Sequence, residues 1–66
     1  MMHIPTAEEM RETRLSLGIS QKEMAEKIGM GQGMVSRIER GTVNPSARTL
    51  TKIVLVLNER LRSKIV

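Results

Sequence analysis

The chain has 66 residues, six methionines, no cysteine and no aromatic residue, so we expect one small domain without disulfides, thiolate metal sites or a stacking platform for single-stranded nucleic acid. No apolar run reaches membrane-spanning length and no secretory signal begins the chain, which indicates a soluble cytoplasmic protein. The net charge is +4, with −1 in residues 1–36 and +5 in residues 37–66. This basic excess suits a nucleic-acid partner, although a merely solvated basic surface remains an alternative.

The first predicted helix follows a short flexible segment, residues 1–5, within a single domain that spans residues 1–66. Thr6 and Glu9 form a capping-box signal, in which each side chain accepts a hydrogen bond from the other residue's backbone N–H. Residues at i, i+3, i+4 and i+7 then predict the inward face: Met10, Thr13, Arg14 and Leu17. Gly18 is typical of a helix end.

The second predicted helix begins with the same signal. Ser20 is the expected N-cap and Glu23 its reciprocal partner. The inward face is supplied by Met24, Ala25 and Ile28. Gly29 is expected to end this helix.

A third helix is predicted from about Gln32 to Arg40, and Gly41 ends it. Its inward side is formed by Val35, Ile38 and part of Met34. Its opposite side is polar and carries Gln32, Ser36, Arg37 and Arg40.

The fourth predicted helix follows a loop, TVNPS, because Asn44 before Pro45 is biased away from helix. Ser46 is then placed to cap the helix, whose buried stripe is Leu50, Ile53, Val54 and Leu57. The β-branched residues of IVLVL would also suit a strand, but the sequence offers no second strand to pair with it. Further along, Leu61 and Ile65 indicate one or two final helical turns with a fraying end.

The segment IVLVL contains more apolar residues than one buried stripe requires. Either Leu55 or Val56 should therefore face outward, where a second protomer would cover it together with residues of the segment 58–66. The predicted dimer contacts are Leu55, Val56, Leu61 and Ile65. Ordinary exposure of single aliphatic side chains remains an alternative.

The glycines of GMGQGMVSRIERG, residues 29–41, suggest either a phosphate-binding loop or a turn between helices. Their spacing is G-x-G-x-G, whereas a dinucleotide fingerprint requires G-x-G-x-x-G and a P-loop requires G-x-x-x-x-G-K-[ST]. Two helices that cross sharply need a small residue at their contact and a residue that accepts positive φ at the turn. Ala25 and Gly29 meet these needs, with Val35 and Ile38 as packing anchors.

The segment SQKEMAEKIGMGQGMVSRIERG, with MRETRLSLGI before it and NPSARTLTKI after it, resembles the phage-repressor and Cro-type (XRE-like) helix-turn-helix family. The resemblance covers about residues 7–58 and fixes small, turn and anchor positions across the motif. It implies an all-α, lambda-repressor-like bundle of four or five helices. It also implies a transcriptional regulator that binds double-stranded DNA sequence-specifically, as a homodimer on a palindromic operator.

The resemblance assigns base contacts in the major groove to the outward side of the third helix, at Gln32, Gly33, Ser36 and Arg37. Gln suits adenine and Arg suits guanine. Gly33 replaces a polar residue common in the family, and Met34 replaces a small hydroxyl residue. We therefore expect few base contacts, with specificity that depends on Arg37 and on DNA shape.

Phosphate contacts are expected from polar and basic residues around these helices: Gln21, Lys22, Arg40, Thr42, Asn44 and Arg48. Each of the last five could instead be a solvated side chain, and Gln21 could instead reflect only a preference for the start of a helix. Gln21 stands at the positive end of a helix dipole, where a phosphate can bind, and the resemblance implies that it also braces Gln32. The resemblance further implies a partly buried ion pair between Arg14 and Glu39 that joins the first and third helices.

No residue set in the sequence suits catalysis or metal binding. There is no Asp or Cys, the glutamates are scattered, and His3 is the one imidazole. We therefore expect no enzymatic activity, no cofactor and no metal. The alternative to a DNA-binding regulator is a protein-interaction module, an antitoxin-like or coactivator-like partner that uses the methionine-rich and C-terminal apolar surfaces.

Overall fold

A computed structural model describes residues 5–65 as four helices joined by short connections. The helices are α1, Ala7–Ser16; α2, Gln21–Ile28; α3, Gln32–Glu39; and α4, Ala47–Ile65. No strand occurs in this range, so the all-α prediction is confirmed. The predicted final turns are part of α4, which continues to Ile65. His3, Val66 and most of the segment predicted to be flexible lie outside the described residues.

Side chains cap α1 and α4 as their sequences predict. Thr6 Oγ1 accepts a hydrogen bond from the Glu9 N–H at 3.1 Å, and the Glu9 carboxylate accepts one from the Thr6 N–H at 2.9 Å. Ser46 Oγ accepts from the Thr49 N–H at 3.2 Å. These bonds satisfy backbone donors that have no partner within their own helix.

The start of α2 differs from its prediction in one respect. Ser20 Oγ accepts from the Glu23 N–H at 2.9 Å, but the Glu23 carboxylate pairs with Arg60 of α4 instead of closing a second capping box. Arg60 Nη1 also lies 3.5 Å from the carbonyl oxygen of Leu17. The Arg60 side chain therefore joins α4 to both α1 and α2.

The turn between α2 and α3 is made at Gly29, where φ is +74°. The Met30 N–H donates to the Ala25 carbonyl at 2.9 Å and the Gly29 N–H to the Glu26 carbonyl at 3.4 Å. These two bonds end α2 in a Schellman motif, which places its C′ residue in the left-handed region that favours glycine. The turn predicted at Gly29 is confirmed.

The core lies where α2 packs against α3 and α4 and where α1 packs against α3. In α4, Ile53 and Leu57 are buried, whereas Leu50 and Val54, predicted in the same stripe, are half-buried. The buried stripe of α4 is therefore narrower than its sequence suggests. The full set of buried apolar residues is Met10, Leu17, Ile19, Met24, Ala25, Ile28, Val35, Ile38, Ile53 and Leu57.

A buried ion pair joins α1 to α3. Arg14 Nε and Nη2 donate to the two carboxylate oxygens of Glu39 at 2.7 and 2.9 Å, and Arg14 Nη1 donates to the Ile19 carbonyl at 2.7 Å. Both side chains of the pair are only 6% exposed. Such two-fold hydrogen bonding fixes orientation as well as distance. The pair therefore sets how α3 lies on α1.

We expect Glu39→Ala to lower the free energy of unfolding by about 3–5 kcal/mol, because the buried Arg14 guanidinium would lose its counter-charge. Urea unfolding followed by circular dichroism measures this loss. The matched control is Glu23→Ala, which breaks a pair whose side chains are 29% and 34% exposed and should cost only about 0–1 kcal/mol. Similar losses of unfolding free energy in the two variants would mean that the buried pair stabilises the fold no more than the exposed pair does.

Candidate nucleic-acid interface

The outward side of α3 is determined by the residues that this helix buries. Val35 and Ile38 are 3% and 2% exposed and pack into the core. Because an α-helix turns about 100° per residue, Gly33 and Arg37 lie on the opposite side, and Arg40, the C-cap residue directly after α3, continues that side. All three are exposed to solvent.

The four positions predicted to read bases lie on two adjacent strips of this surface. Gln32 and Ser36 are four residues apart, as are Gly33 and Arg37, so the members of each pair are neighbours on one side of the helix. Gln32, Gly33 and Arg37 are exposed, and Ser36 is half-buried. The structure therefore brings the four positions together, with Arg37 as the one cation among them.

The first turn of α3 carries unusually few side-chain atoms. Gly31 is its N-cap, with φ −76° and ψ 152°, and provides no side-chain cap. A Cβ atom built on Gly31 or Gly33 would meet no atom within 4 Å, and neither residue has the positive φ that favours glycine. The fold does not require glycine at these positions. Gly33 weakens the helix and Gly31 provides no side-chain cap, while both leave the backbone open to close approach from outside.

Gln21 is held by the buried ion pair. Its Nε2 donates to Glu39 Oε1 at 3.2 Å, so the side chain is bonded to the ion pair and not to Gln32, the partner implied by the family resemblance. An amide group has two N–H hydrogens, which leaves the second for an oxygen acceptor outside the protein. The ion pair thus orients Gln21 at the positive end of α2.

Thr42 closes the end of α3. Its N–H and its Oγ1 donate to the Arg37 carbonyl at 3.1 and 3.0 Å. A hydroxyl has one hydrogen, so Thr42 can donate to a phosphate only if the bond to Arg37 breaks. Its role in this structure is to fix the backbone of Arg37, which the sequence did not suggest.

The remaining predicted contacts are exposed: Lys22, Arg40, Asn44 and Arg48. Within α3 the one carboxylate, Glu39, is neutralised by Arg14, so it does not offset the exposed arginines. Exposed cationic side chains spread over several elements suit a partner with an extended row of negative charges.

Within residues 5–65, no group of three His, Asp, Glu or Cys side chains is placed to hold a metal ion. Among the described helices, none combines the length and the apolar character needed to cross a membrane.

We expect Gly33→Ala to raise the free energy of unfolding by about 0.5–1 kcal/mol, because alanine favours the helix and its Cβ would enter open space. The control is Gly29→Ala, which forces a Cβ into the left-handed region and should lower the free energy of unfolding by about 1–2 kcal/mol. Thermal unfolding of both variants measures these changes. A loss of stability in Gly33→Ala would mean that the fold itself requires this glycine.

Comparison with known proteins gives consistent matches. A family model described as Helix-turn-helix matches residues 10–63. A protein of Haemophilus influenzae named "Uncharacterized HTH-type transcriptional regulator" is 37% identical over 60 residues, covering 91% of this chain. The chain spans 61% of the length of that relative.

Two other relatives have similar sequence identities to this chain. A protein of Archaeoglobus fulgidus, also named "Uncharacterized HTH-type transcriptional regulator", is 39% identical over 51 residues, covering 77% of this chain and 73% of the relative. The "ImmF control region 10 kDa protein" of Bacillus phage phi105 is 35% identical over 48 residues, covering 73% of this chain and 53% of the relative. No solved structure matches the chain significantly.

The range matched by the family model contains all of α2 and α3 and the turn at Gly29 between them. The residues that carry the resemblance in the sequence therefore form two helices joined by a turn, as the family description states, and the resemblance is confirmed. The chain belongs to the helix-turn-helix family.

Proposed function

We propose that this protein binds double-stranded DNA sequence-specifically and acts as a transcriptional regulator. The observation that carries the proposal is the outward side of α3, where Arg37 and Arg40 are exposed while the carboxylate of Glu39 is neutralised by Arg14. The names of the relatives support the same function, since two are called transcriptional regulators and one a control-region protein.

In this proposal α3 is the helix that enters the major groove, which is wide enough to admit an α-helix. Arg37 pairs with guanine, Gln32 with adenine, and Ser36 with either. Gly33 contributes backbone only and lets the helix lie close to the base edges. With so few base-reading side chains, the deformability of the DNA contributes part of the specificity.

Phosphate contacts on both sides of α3 hold the helix in register. Gln21 and Lys22 lie in the first turn of α2, where the helix dipole favours a phosphate, and the free amide hydrogen of Gln21 is available to it. Arg40, Asn44 and Arg48 follow α3 along the chain and are exposed. Thr42 contributes by fixing the backbone of α3 more than by touching phosphate.

The functional unit in this proposal is a homodimer on a palindromic operator, with the two α3 helices about 34 Å apart in successive major grooves. Leu55 and Leu61 support it, since they are 58% and 48% exposed. Val56, a third predicted contact, is half-buried and packs on the core. The side chain of Ile65, the fourth, lies outside the described residues.

Selection of bound duplexes from a random pool, followed by titration of the selected site, tests base reading. We expect Arg37→Ala to weaken binding to the selected duplex by about 1–3 kcal/mol, and binding to a scrambled duplex much less, because a bidentate contact with guanine is lost. Thr49→Ser, a conservative change in α4, serves as the control and should leave the discrimination unchanged.

Equal weakening on both duplexes would mean that Arg37 contacts phosphate and not base. Failure to select any duplex would favour the protein-interaction module over a DNA-binding regulator.

The salt dependence of binding tests the phosphate contacts. We expect Lys22→Ala to reduce the slope of log K against log salt concentration by about 1, because one fewer phosphate is neutralised. Lys27→Ala removes the same charge from the last turn of the same helix, away from the proposed DNA surface, and should leave the slope nearly unchanged. Equal slopes for the two variants would contradict a phosphate contact at Lys22.

A further inference from the structure

The first turns of α1 and α2 begin with the same sequence signal but differ in one hydrogen bond. Thr6 and Ser20 have nearly the same backbone conformation, with φ −76° and ψ 166° at Thr6 and φ −75° and ψ 160° at Ser20. Each side chain accepts a hydrogen bond from the N–H three residues further on. In α1 the Glu9 carboxylate also reaches back and accepts from the Thr6 N–H at 2.9 Å. Backbone geometry therefore does not prevent Glu23 from closing the same capping box in α2.

Arg60 of α4 accounts for the difference between the two turns. Its guanidinium pairs with the Glu23 carboxylate and lies 3.5 Å from the carbonyl oxygen of Leu17, so it has partners on both α2 and the end of α1. Gln21 and Glu23 are two residues apart, about 200° around the helix. Since Gln21 donates to Glu39 of α3, Arg60 draws the Glu23 carboxylate to the other side of α2.

We infer that Arg60 is a positioning residue for DNA binding, which acts by keeping the Glu23 carboxylate away from the N-terminus of α2. In the proposed function, on which this inference rests, Gln21 and Lys22 of the same turn contact phosphate. A carboxylate bonded to the Ser20 N–H would take up one of the backbone donors at this helix end. It would also place a negative charge at the positive end of the helix dipole, where the phosphate binds.

The position of Arg60 separates this role from a direct contact with the same DNA. Arg60 follows Arg48, the proposed phosphate contact of α4, by about 18 Å along the helix. Its side chain is 29% exposed and its charge is paired with Glu23. The arrangement repeats that of α3, where Glu39 is held by Arg14 of α1. In both helices an arginine from another part of the fold holds a carboxylate that would otherwise be free.

Amide hydrogen exchange, measured by NMR without DNA, tests the positioning step. We expect Arg60→Met to slow exchange of the Ser20 amide by about 3-fold or more, because the released Glu23 carboxylate can then accept this N–H. Methionine keeps an apolar stem in place of the arginine stem but has no charge and no donor. The Thr6 amide is the internal reference, since Glu9 bonds it in both proteins. Unchanged exchange at Ser20 would overturn the inference.

Binding to the selected and scrambled duplexes tests the consequence for DNA. We expect Arg60→Met to weaken binding to both duplexes equally, by about 5-fold, because a phosphate contact is weakened and phosphate contacts carry no sequence information. Arg60→Lys keeps a cation beside Glu23 and should recover most of this affinity. The matched control is Arg62→Met, which removes the same charge from an exposed position of α4 and should change binding by less than about 2-fold, since the charge is screened. Circular dichroism verifies that all variants keep their helices.

The Glu23→Ala background separates positioning from packing. In that background we expect Arg60→Met to affect binding no more than Arg62→Met does, because no carboxylate remains to reach the N-terminus of α2. A loss of about 5-fold that persists in this background would mean that Arg60 acts by packing α4 on the fold. That result would overturn the inference and leave the proposed function intact. A parent chain that binds neither duplex would instead overturn the proposed function, and the effect of Arg60 on DNA binding with it.

Discussion

The ion pair between Arg14 and Glu39 is the constraint on which the arrangement of the helices depends. Its hydrogen bonds reach four parts of the fold: α1, the carbonyl of Ile19 in the first turn, α3, and Gln21 at the start of α2. A core without aromatic rings or disulfides, filled partly by methionines, specifies its shape weakly because methionine adapts to many packings. A buried bidentate pair has one favourable geometry, so it supplies orientation that the apolar core does not.

The properties of the outward surface of α3 follow from that constraint. Glu39 is drawn inward, so the exposed side of the helix keeps Arg37 and Arg40 without a neighbouring free carboxylate. At the far end of the helix, Thr42 bonds the carbonyl of Arg37 and fixes the backbone from which that arginine extends. The same interactions that hold the fold together therefore also orient the side chains proposed to contact DNA.

Local stability and the proposed function make opposite demands on the first turn of α3. Gly31 and Gly33 deprive the helix of a cap and of a good helix former, although the surrounding space would accept side chains at both positions. This loss of helix stability has an explanation if close approach of the proposed DNA ligand, and not the fold, requires a backbone without side chains. Stability is recovered elsewhere by caps on the other helices and by the contacts of Arg60 with α1 and α2.

The sequence by itself determined the helices, the turn at Gly29, the caps of α1 and α4, and which side of α3 faces out. These features depend on residues within about four positions of each other, and the physics of caps, turns and helical periodicity is local. Tertiary structure alone decided that Glu23 pairs with Arg60 and that Gln21 bonds Glu39. Long polar side chains have several partners within reach, and only the packing of distant helices determines which one is nearest.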